Sequence, residues 1–196
     1  MGDPIRTRNK YFTPMHPWEK ERLETEKKLM KEYGLVNKKE IWKVNSKLKK
    51  FKDNAKSLVA KTGDQAQLER KQLADKLKSY GLIESDSLDE ILGLGLEQFL
   101  ERRLQTVLVR KGFARSMKQA RQMITHKHVT VNGKMISSPG YLVTVKEENS
   151  VKFYPGSAFT DEMHPERKLP EKITEKPAEK EVIKADVKSG EEAKAQ

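Results

Sequence analysis

The stretch GFARSMKQARQMITHKHVTVNGK, from Gly112 to Lys134, decides the fold of the most informative part of this chain. Its first half predicts a short helix, because Ser116 followed three residues later by Gln119 is a capping-box pattern. Apolar residues then recur at helical spacing and are expected to face a core: Ala120, Met123 and Ile124. The other helix positions are polar and are expected to face solvent: Arg115, Lys118, Arg121 and Gln122.

The second half of the stretch predicts a β-hairpin. After His128 the apolar period changes to two, which is typical of a strand with one buried face. Asn132-Gly133 is a common dipeptide in two-residue hairpin turns, because both positions need a positive φ. Pro139-Gly140 predicts a further turn. Two more strands are expected after it, at Tyr141–Val145 and Val151–Tyr154.

A longer helix is predicted just before this stretch, restarting after Gly95 with LEQFLERRLQTVLVRK. Its leucines, valines and one phenylalanine form a stripe expected to be core: Leu96, Phe99, Leu100, Leu104, Val107 and Leu108. A neighbouring, exposed face is expected to carry Arg103, Thr106 and Arg110, with Lys111 extending it. Gly112 then allows a sharp turn.

The charge of this region points to a polyanion. Between Arg102 and Lys146, here called the basic segment, there are ten Lys or Arg residues and no Asp or Glu. So many like charges without a carboxylate repel one another unless a polyanion neutralises them. The amides of a helix N-terminus also attract phosphate groups. These features favour RNA as the partner.

Composition limits the other possibilities. The 196 residues are 35% hydrophobic and 35% charged, with a net charge of +11, so much of the chain is expected to be solvated or ordered by a partner. Cysteine is absent, which excludes disulfides and thiolate metal sites. No apolar run approaches the roughly 20 residues of a membrane span, and the N-terminus lacks the apolar core of a signal peptide.

Residues 1–44 form a basic leader, whose segment RTRNKYFTPMHPWEK combines the basic residues Arg6, Arg8 and Lys10 with three aromatic ones (Tyr11, Phe12 and Trp18). The two prolines of that segment, Pro14 and Pro17, predict extended or turn-like chain before a helix from Glu19 to Tyr33. Basic residues interleaved with aromatic rings suit an arm that lies along nucleic acid. The alternative is an arm that docks on its own domain, with Trp18 as a core plug.

Residues 45–101 predict a small helical domain. One helix is expected from Asn45 to Ala60 and a second after Gly63-Asp64. Four side chains of the second helix are expected to face the core before Gly81 ends it: Leu68, Leu73, Leu77 and Tyr80. A third, short helix is expected to begin at Asp86 or Ser87.

The tail, residues 156–196, is expected to be largely disordered. It holds eight basic and ten acidic residues, and no aromatic side chain follows Phe159. The predicted fold class is therefore α+β. A basic arm (1–44) and a helical domain (45–101) precede a domain of two helices and a small antiparallel sheet (102–155), and the charged tail ends the chain.

The run RRLQTVLVRKGFARSMKQARQMITHKHVTVNGK resembles the RNA-binding domain named after small-subunit ribosomal protein S-four, also called the alpha-L motif. The residues that carry the resemblance are Arg102, Arg103, Leu104, Gly112, Ala114, Ser116, Ala120, Arg121, Ile124, His126, Val129, Val131, Asn132 and Gly133. The flanking segments NKYFTPMHPWEKER and LGLGLEQFLERRLQT resemble the archaeal and eukaryotic branch of that ribosomal protein family.

The resemblance implies a structural constituent of the cytoplasmic small ribosomal subunit, which is not an enzyme. In the family the protein binds the 5′ domain of small-subunit rRNA early in assembly, and helps shape the region where mRNA enters. The implied partners are rRNA and neighbouring small-subunit proteins, with mRNA nearby and without a membrane or small-molecule substrate. Some bacterial members hold a zinc ion through cysteines. This chain has none, so no metal or cofactor is carried over.

Positions that match the family motif are expected to contact RNA: Arg102, Arg103, Arg110, Lys111, Arg115, Lys118, Arg121, Gln122, His126, Lys127 and Lys134. Arg6, Arg8 and Lys10 of the leader join them.

Two alternatives remain open. The same module occurs in tyrosyl-tRNA synthetases, pseudouridine synthases and a heat-shock-associated ribosome rescue protein, but this chain lacks room for a catalytic domain and has no phosphate-binding glycine loop. His126 and His128 are its only local histidine pair, better placed to touch RNA or carbonyls than to bind metal. A free-standing RNA chaperone is the second alternative. The long basic leader favours burial in a large RNA assembly instead.

Overall fold

The fold was obtained as a computed structural model, which describes Asn9, residues 11–161, His164 and Pro165. This part of the chain is mostly helical with one small antiparallel sheet, which confirms the predicted α+β class. The helices are α1 Lys20–Glu32, α2 Lys38–Val59, α3 Asp64–Ser79, α4 Leu88–Gly93, α5 Leu96–Glu101, α6 Leu104–Arg110, α7 Met117–Thr125 and α8 Val145–Glu148. The strands are β1 Val129–Val131, β2 Lys134–Met135 and β3 Lys152–Phe153. None of the described helices is long and apolar enough to cross a membrane.

Helix α2 organises the N-terminal half by packing against α1, α3, α4 and α5. It begins at Lys38, seven residues before the predicted start, so the boundary placed between residues 44 and 45 falls inside this helix. Its core includes stacked rings of Phe51 and Phe99, 5.8 Å apart. The prediction that Leu68 faces inward is wrong, since this side chain is 56% exposed. The predicted Ser87 cap of α4 is confirmed by its hydrogen bond from the Glu90 amide.

The continuous helix predicted after Gly95 is wrong, because the chain breaks at Arg102 and Arg103 into α5 and α6. Here the backbone bonds to a distant loop instead of to the preceding turn. The Leu104 amide donates to the Tyr141 carbonyl at 2.8 Å, and the Val143 amide donates to the Arg102 carbonyl at 2.9 Å. Tertiary hydrogen bonds thus replace helical ones at the break.

Helix α7 and the hairpin agree with the sequence. The Ser116 hydroxyl accepts from the Gln119 amide, which confirms the predicted cap. The three strands are antiparallel in the order β2-β1-β3. Asn132 and Gly133 both have positive φ, 51° and 75°, as a two-residue turn between β1 and β2 requires. The strand predicted at Val151–Tyr154 is confirmed in its central two residues.

The strand predicted at Tyr141–Val145 is wrong. Only an isolated bridge forms there, between Arg103 and Leu142. The chain then enters α8, whose start is fixed by a capping box. The Thr144 hydroxyl accepts from the Glu147 amide, and the Glu147 carboxylate accepts from the Thr144 amide at 3.0 Å.

The first residues of the predicted disordered tail are ordered. Ser157 is buried and begins a short 3₁₀ helix, Ala158–Thr160. Phe159 within it lies 5.0 Å from the His128 ring and 6.2 Å from the Phe153 ring. These ring contacts hold the chain against the sheet, so residues 156–161, the start of the segment predicted to be largely disordered, pack on the folded domain. Residues 166–196 lie outside the described part.

The leader is docked where it is described. The Phe12 amide donates to the Ser46 hydroxyl of α2 at 2.8 Å, and the Tyr11 ring lies 6.1 Å from Trp42. Trp18 is 89% exposed and is therefore not a core plug. The three basic residues of the leader that were expected to touch RNA lie outside the described residues: Arg6, Arg8 and Lys10.

Candidate nucleic-acid interface

Three exposed lysines of the basic segment were predicted to contact RNA and lie on or after α7: Lys118 at its start, Lys127 just beyond its end and Lys134 on β2. In the part of the chain that the structure describes, none of the three forms an ion pair. Lys127 adopts a φ of +62° as the chain turns from α7 towards β1. Gln122 and His126 are exposed on the same helix end. These five predicted residues remain available to a ligand.

Arg102 and Lys111 are instead held by the protein itself. Arg102 forms an ion pair with Glu148 at 2.9 Å and donates to the Val143 carbonyl at 3.1 Å. The Lys111 ammonium donates to the Glu148 carbonyl. Both side chains therefore fasten α8 to the helices before it, and Arg102 is largely buried while doing so.

Arg103 and Arg121 converge on one carboxylate, that of Glu40 on α2. Arg103 Nη2 lies 2.7 Å from Glu40 Oε2, and Arg121 reaches both carboxylate oxygens at 2.6 and 3.2 Å. Burial acts to raise the pKa of Glu40, but hydrogen bonds from Arg121 and then Arg103 outweigh it and hold that pKa below its usual value. We call these three residues the Arg–Glu–Arg cluster; it joins α2 to the start of α6 and to α7.

The exposed face predicted for the helix before Gly112 is therefore wrong at two of its positions. Arg103 is only 2% exposed, and burial acts to lower its pKa. Thr106 is also buried and donates to the Leu100 carbonyl at 2.8 Å. Arg110 is exposed as predicted, and it pairs with Glu101 at 2.7 Å. Arg121, predicted to face solvent, is half-buried in the Arg–Glu–Arg cluster.

Arg115 lies just before the N-terminus of α7, on the exposed surface. Its guanidinium donates to the Pro165 carbonyl at 2.6 Å. Its own amide donates to the Gln119 side chain at 2.7 Å, so the Gln119 side chain reaches back as the capping pattern indicates. Arg115 thereby links the start of α7 to the chain beyond the sheet.

An aromatic pocket that sequence reasoning missed opens beside the exposed end of α7. The cavity of about 330 Å³ is lined by Gln119, Gln122, Met123, His126, His128 and Phe159. The two histidine rings are nearly parallel, with their centres 6.2 Å apart. His128 Nδ1 lies 2.8 Å from the Ser157 hydroxyl, which fixes the ring against the 3₁₀ helix. Phe159 was assigned to the disordered tail, although an aromatic residue in a polar segment is a signal of docking.

No group of three or more potential ligands for a metal occurs among the residues that the structure describes. Flat rings and amides line the pocket instead, and the unpaired Lys118 and Lys127 are neighbours in the chain of its lining residues Gln119 and His126. Such groups can hold phosphates and stack on unpaired bases, which is the chemistry of an RNA contact.

Comparisons with known proteins agree with this chemistry. The family model described as the S4 domain matches residues 102–149. The chain is also 48% identical over 169 residues to small ribosomal subunit protein uS4 of Methanococcus maripaludis strain C5, which covers 85% of this chain and 95% of the relative. It is 48% identical over 169 residues to the protein of the same name from Methanococcus aeolicus, covering 85% and 96%.

Proposed function

Because the chain belongs to the family of small ribosomal subunit protein uS4, we propose that it is a structural constituent of the cytoplasmic small ribosomal subunit and binds its rRNA directly. The family is not enzymatic, which confirms the prediction that the chain is not an enzyme. The resemblance found in the sequence is confirmed by the same relatives and by the S4 domain at residues 102–149.

The observation that carries the proposal is the set of unpaired cations around α7. Lys118, Lys127 and Lys134 are exposed and have no carboxylate partner in the described part of the chain. Exposed charges are usually accompanied by opposite charges on a folded surface, whereas nucleic-acid surfaces keep one sign. We assign these lysines to phosphate contacts, together with Arg110, Lys111 and Arg115, whose side chains remain exposed beside their contacts within the protein.

The aromatic pocket supports contacts to unpaired bases. Its rings offer flat faces for stacking, and its glutamine amides offer hydrogen bonds to base edges. Gln122 and His126 are its exposed members. Three predicted contacts are given another role. Arg102, Arg103 and Arg121 each bind a carboxylate of this chain, so we assign them to holding the fold and not to the surface around α7.

The finer expectations complete the proposal. The rRNA target is the 5′ domain, bound early in assembly, and the protein lies with neighbouring small-subunit proteins near the region where mRNA enters. Arg6, Arg8 and Lys10 extend the contact along the rRNA. Support comes from the docking of Tyr11 and Phe12, the next residues along the chain, on α2.

Two measurements test the proposal. The protein is expected to sediment with small ribosomal subunits after a high-salt wash, because it is a constituent and not a loosely attached factor. Its affinity for a 5′-domain rRNA fragment is expected to fall with salt, with a slope of log K against log salt near −4 to −5 for about six phosphate contacts. Release in high salt together with a slope near zero would overturn the proposal.

A further inference from the structure

A second positively charged site lies outside the surface around α7. It is a cleft of about 430 Å³ between α2, the Arg–Glu–Arg cluster and the loop that follows β2. We call it the inter-domain cleft. Its lining residues are Glu40, Lys43, Val44, Lys47, Arg103, Arg121, Ser138, Pro139 and Gly140.

The cleft carries more positive than negative charge. Four cationic side chains line it, and Glu40 is its only carboxylate. Glu40 is fully engaged, since one oxygen accepts from Arg103 and both accept from Arg121. Lys43 and Lys47 follow Glu40 at three and seven residues, so they extend from the same face of α2. Among the described residues, neither lysine forms an ion pair.

The buried guanidinium of Arg103 adds to this imbalance. Its Nε and Nη1 atoms are buried and have no hydrogen-bond partner in the described part of the chain. A buried charge that is only partly paired costs free energy, so a second anion nearby would stabilise the folded protein. Lys47 is exposed, but desolvation and the positive charge of Lys43 lower its pKa, so a nearby anion would favour its charged form.

We propose that the inter-domain cleft binds one phosphate group of the rRNA backbone, between Lys43 and Lys47 on one side and Arg121 on the other. This inference rests on the proposed function and adds a contact from the helical half, which the S4 domain alone does not provide. A phosphate fits better than a carboxylate, because its several oxygens can accept from ammonium and guanidinium groups at once. Since residues of both α2 and α7 line the cleft, the bound phosphate would also fasten the two helices together.

The test uses the full chain and two pairs of matched variants. Ser138→Glu puts a carboxylate into the cleft, whereas Ser137→Glu puts the same charge on the neighbouring exposed residue, which does not line it. Lys43→Gln with Lys47→Gln removes two charges from the cleft. Lys56→Gln with Lys71→Gln removes two from exposed positions elsewhere on α2 and α3.

Inorganic phosphate at constant ionic strength is the first probe. It is expected to raise the Tm of the wild-type protein and of both control variants, and to leave the Tm of both cleft variants unchanged. An equal rise in cleft and control variants would overturn the site. A rise caused only by polyglutamate would show that the cleft takes an acidic peptide, which also overturns the proposal.

The 5′-domain rRNA fragment is the second probe. Cleft variants are expected to bind it about tenfold more weakly than their controls, and the salt slope should become shallower by about 0.7–0.9, as one lost phosphate contact predicts. If wild-type protein binds no rRNA, the proposed function itself fails. If all variants bind rRNA equally, the function stands and the cleft contact is wrong. A cleft that binds free phosphate without changing rRNA affinity is a site for a free anion, which also contradicts the inference.

Discussion

Glu40 and Arg121 are 81 residues apart in the chain, yet two hydrogen bonds of 2.6 and 3.2 Å join them. Glu40 lies in the first turn of α2, and Arg121 lies in the middle of the helix that was expected to present it to RNA. Because Arg103 binds the same carboxylate, this one acidic residue neutralises two arginines of the basic segment. The joint between the two halves is therefore ionic as well as apolar.

Glu40→Gln is expected to destabilise the protein by about 3–5 kcal/mol, because it leaves the buried Arg103 without a counter-charge. Urea unfolding monitored by circular dichroism measures the change. Glu101→Gln is the matched control, since it removes the partner of the exposed Arg110 and is expected to cost at most about 1 kcal/mol. Equal effects of the two variants would show that the Arg–Glu–Arg cluster contributes no more than a surface pair.

Acid is expected to weaken the fold. Glu40 and Glu26 both have a pKa held below the usual value. Burial acts to raise both pKa values. At Glu40 the hydrogen bonds from Arg121 and Arg103 outweigh it, and at Glu26 those from Trp42, Arg22 and Lys38 do.

The direction of this pH effect follows from the lowered pKa values of the two carboxylates. These carboxylates contribute stability above the unfolded pKa of 4.5, and that contribution disappears as pH falls through the folded values. Unfolding free energies should therefore be level near pH 6–7 and decline below about pH 4.5. In Glu40→Gln the decline should be shallower, and an identical pH profile would contradict the role given to Glu40.

Tyr141 is expected to ionise at an unusually high pH. The hydrogen bond from the Tyr141 hydroxyl to Glu147, 2.8 Å long, raises the pKa of Tyr141 to about 12, with desolvation and the charge of Glu147 adding to it. A raised phenol pKa means stability that is complete below pH 10 and lost as pH rises towards 12. Absorbance at about 295 nm should show this late step in the wild type. In the Glu147→Gln variant the pKa of Tyr141 should move towards 10. If the late ionisation persists in that variant, Glu147 is not its cause.

Charge reversal at the unpaired lysines is expected to separate binding from folding. Lys118→Glu with Lys134→Glu should weaken rRNA binding by at least about tenfold and make the salt slope shallower by about 1.4–1.8. Unfolding free energy should change by less than about 0.5 kcal/mol, since both side chains are exposed.

Arg121→Glu should instead destabilise the protein, because it places a second carboxylate beside Glu40. If the Arg121→Glu variant has the same urea midpoint as the wild-type protein, the assignment of this arginine to the fold is wrong.

Gly34 is expected to tolerate no side chain. Its φ is +59°, and a Cβ placed there would lie 2.6 Å from the Cβ of Met117 at the start of α7. Gly34→Ala should therefore cost about 1–2 kcal/mol for the left-handed backbone and about 1–3 kcal/mol more for the contact. Gly133→Ala is the control, because its φ is also positive, at +75°, but no atom lies within 4 Å of the added Cβ. Similar urea midpoints for the two variants would mean that α7 can move away from the loop without cost.

Local chemistry was sufficient for α7 and the hairpin. The Ser116 cap, the apolar spacing after it and the paired positive φ values at Asn132-Gly133 each depend on residues within one or two turns. The sequence alone therefore determined this helix, the turn and the family resemblance. It also indicated that the partner is a polyanion, because the absence of carboxylates between Arg102 and Lys146 is visible without a structure.

Only the tertiary structure decided which cations are available. Arg103 and Arg121 were expected at the surface from helical spacing, but Glu40 binds both from 63 and 81 residues away. The break before Leu104 likewise depends on the Tyr141 carbonyl, which no local pattern could place there. Helical spacing assumes an unbroken axis and says nothing about what packs on each face. The packing of the whole chain therefore decides which residues pair across long stretches of sequence. The same packing decides which surface is left free to bind RNA.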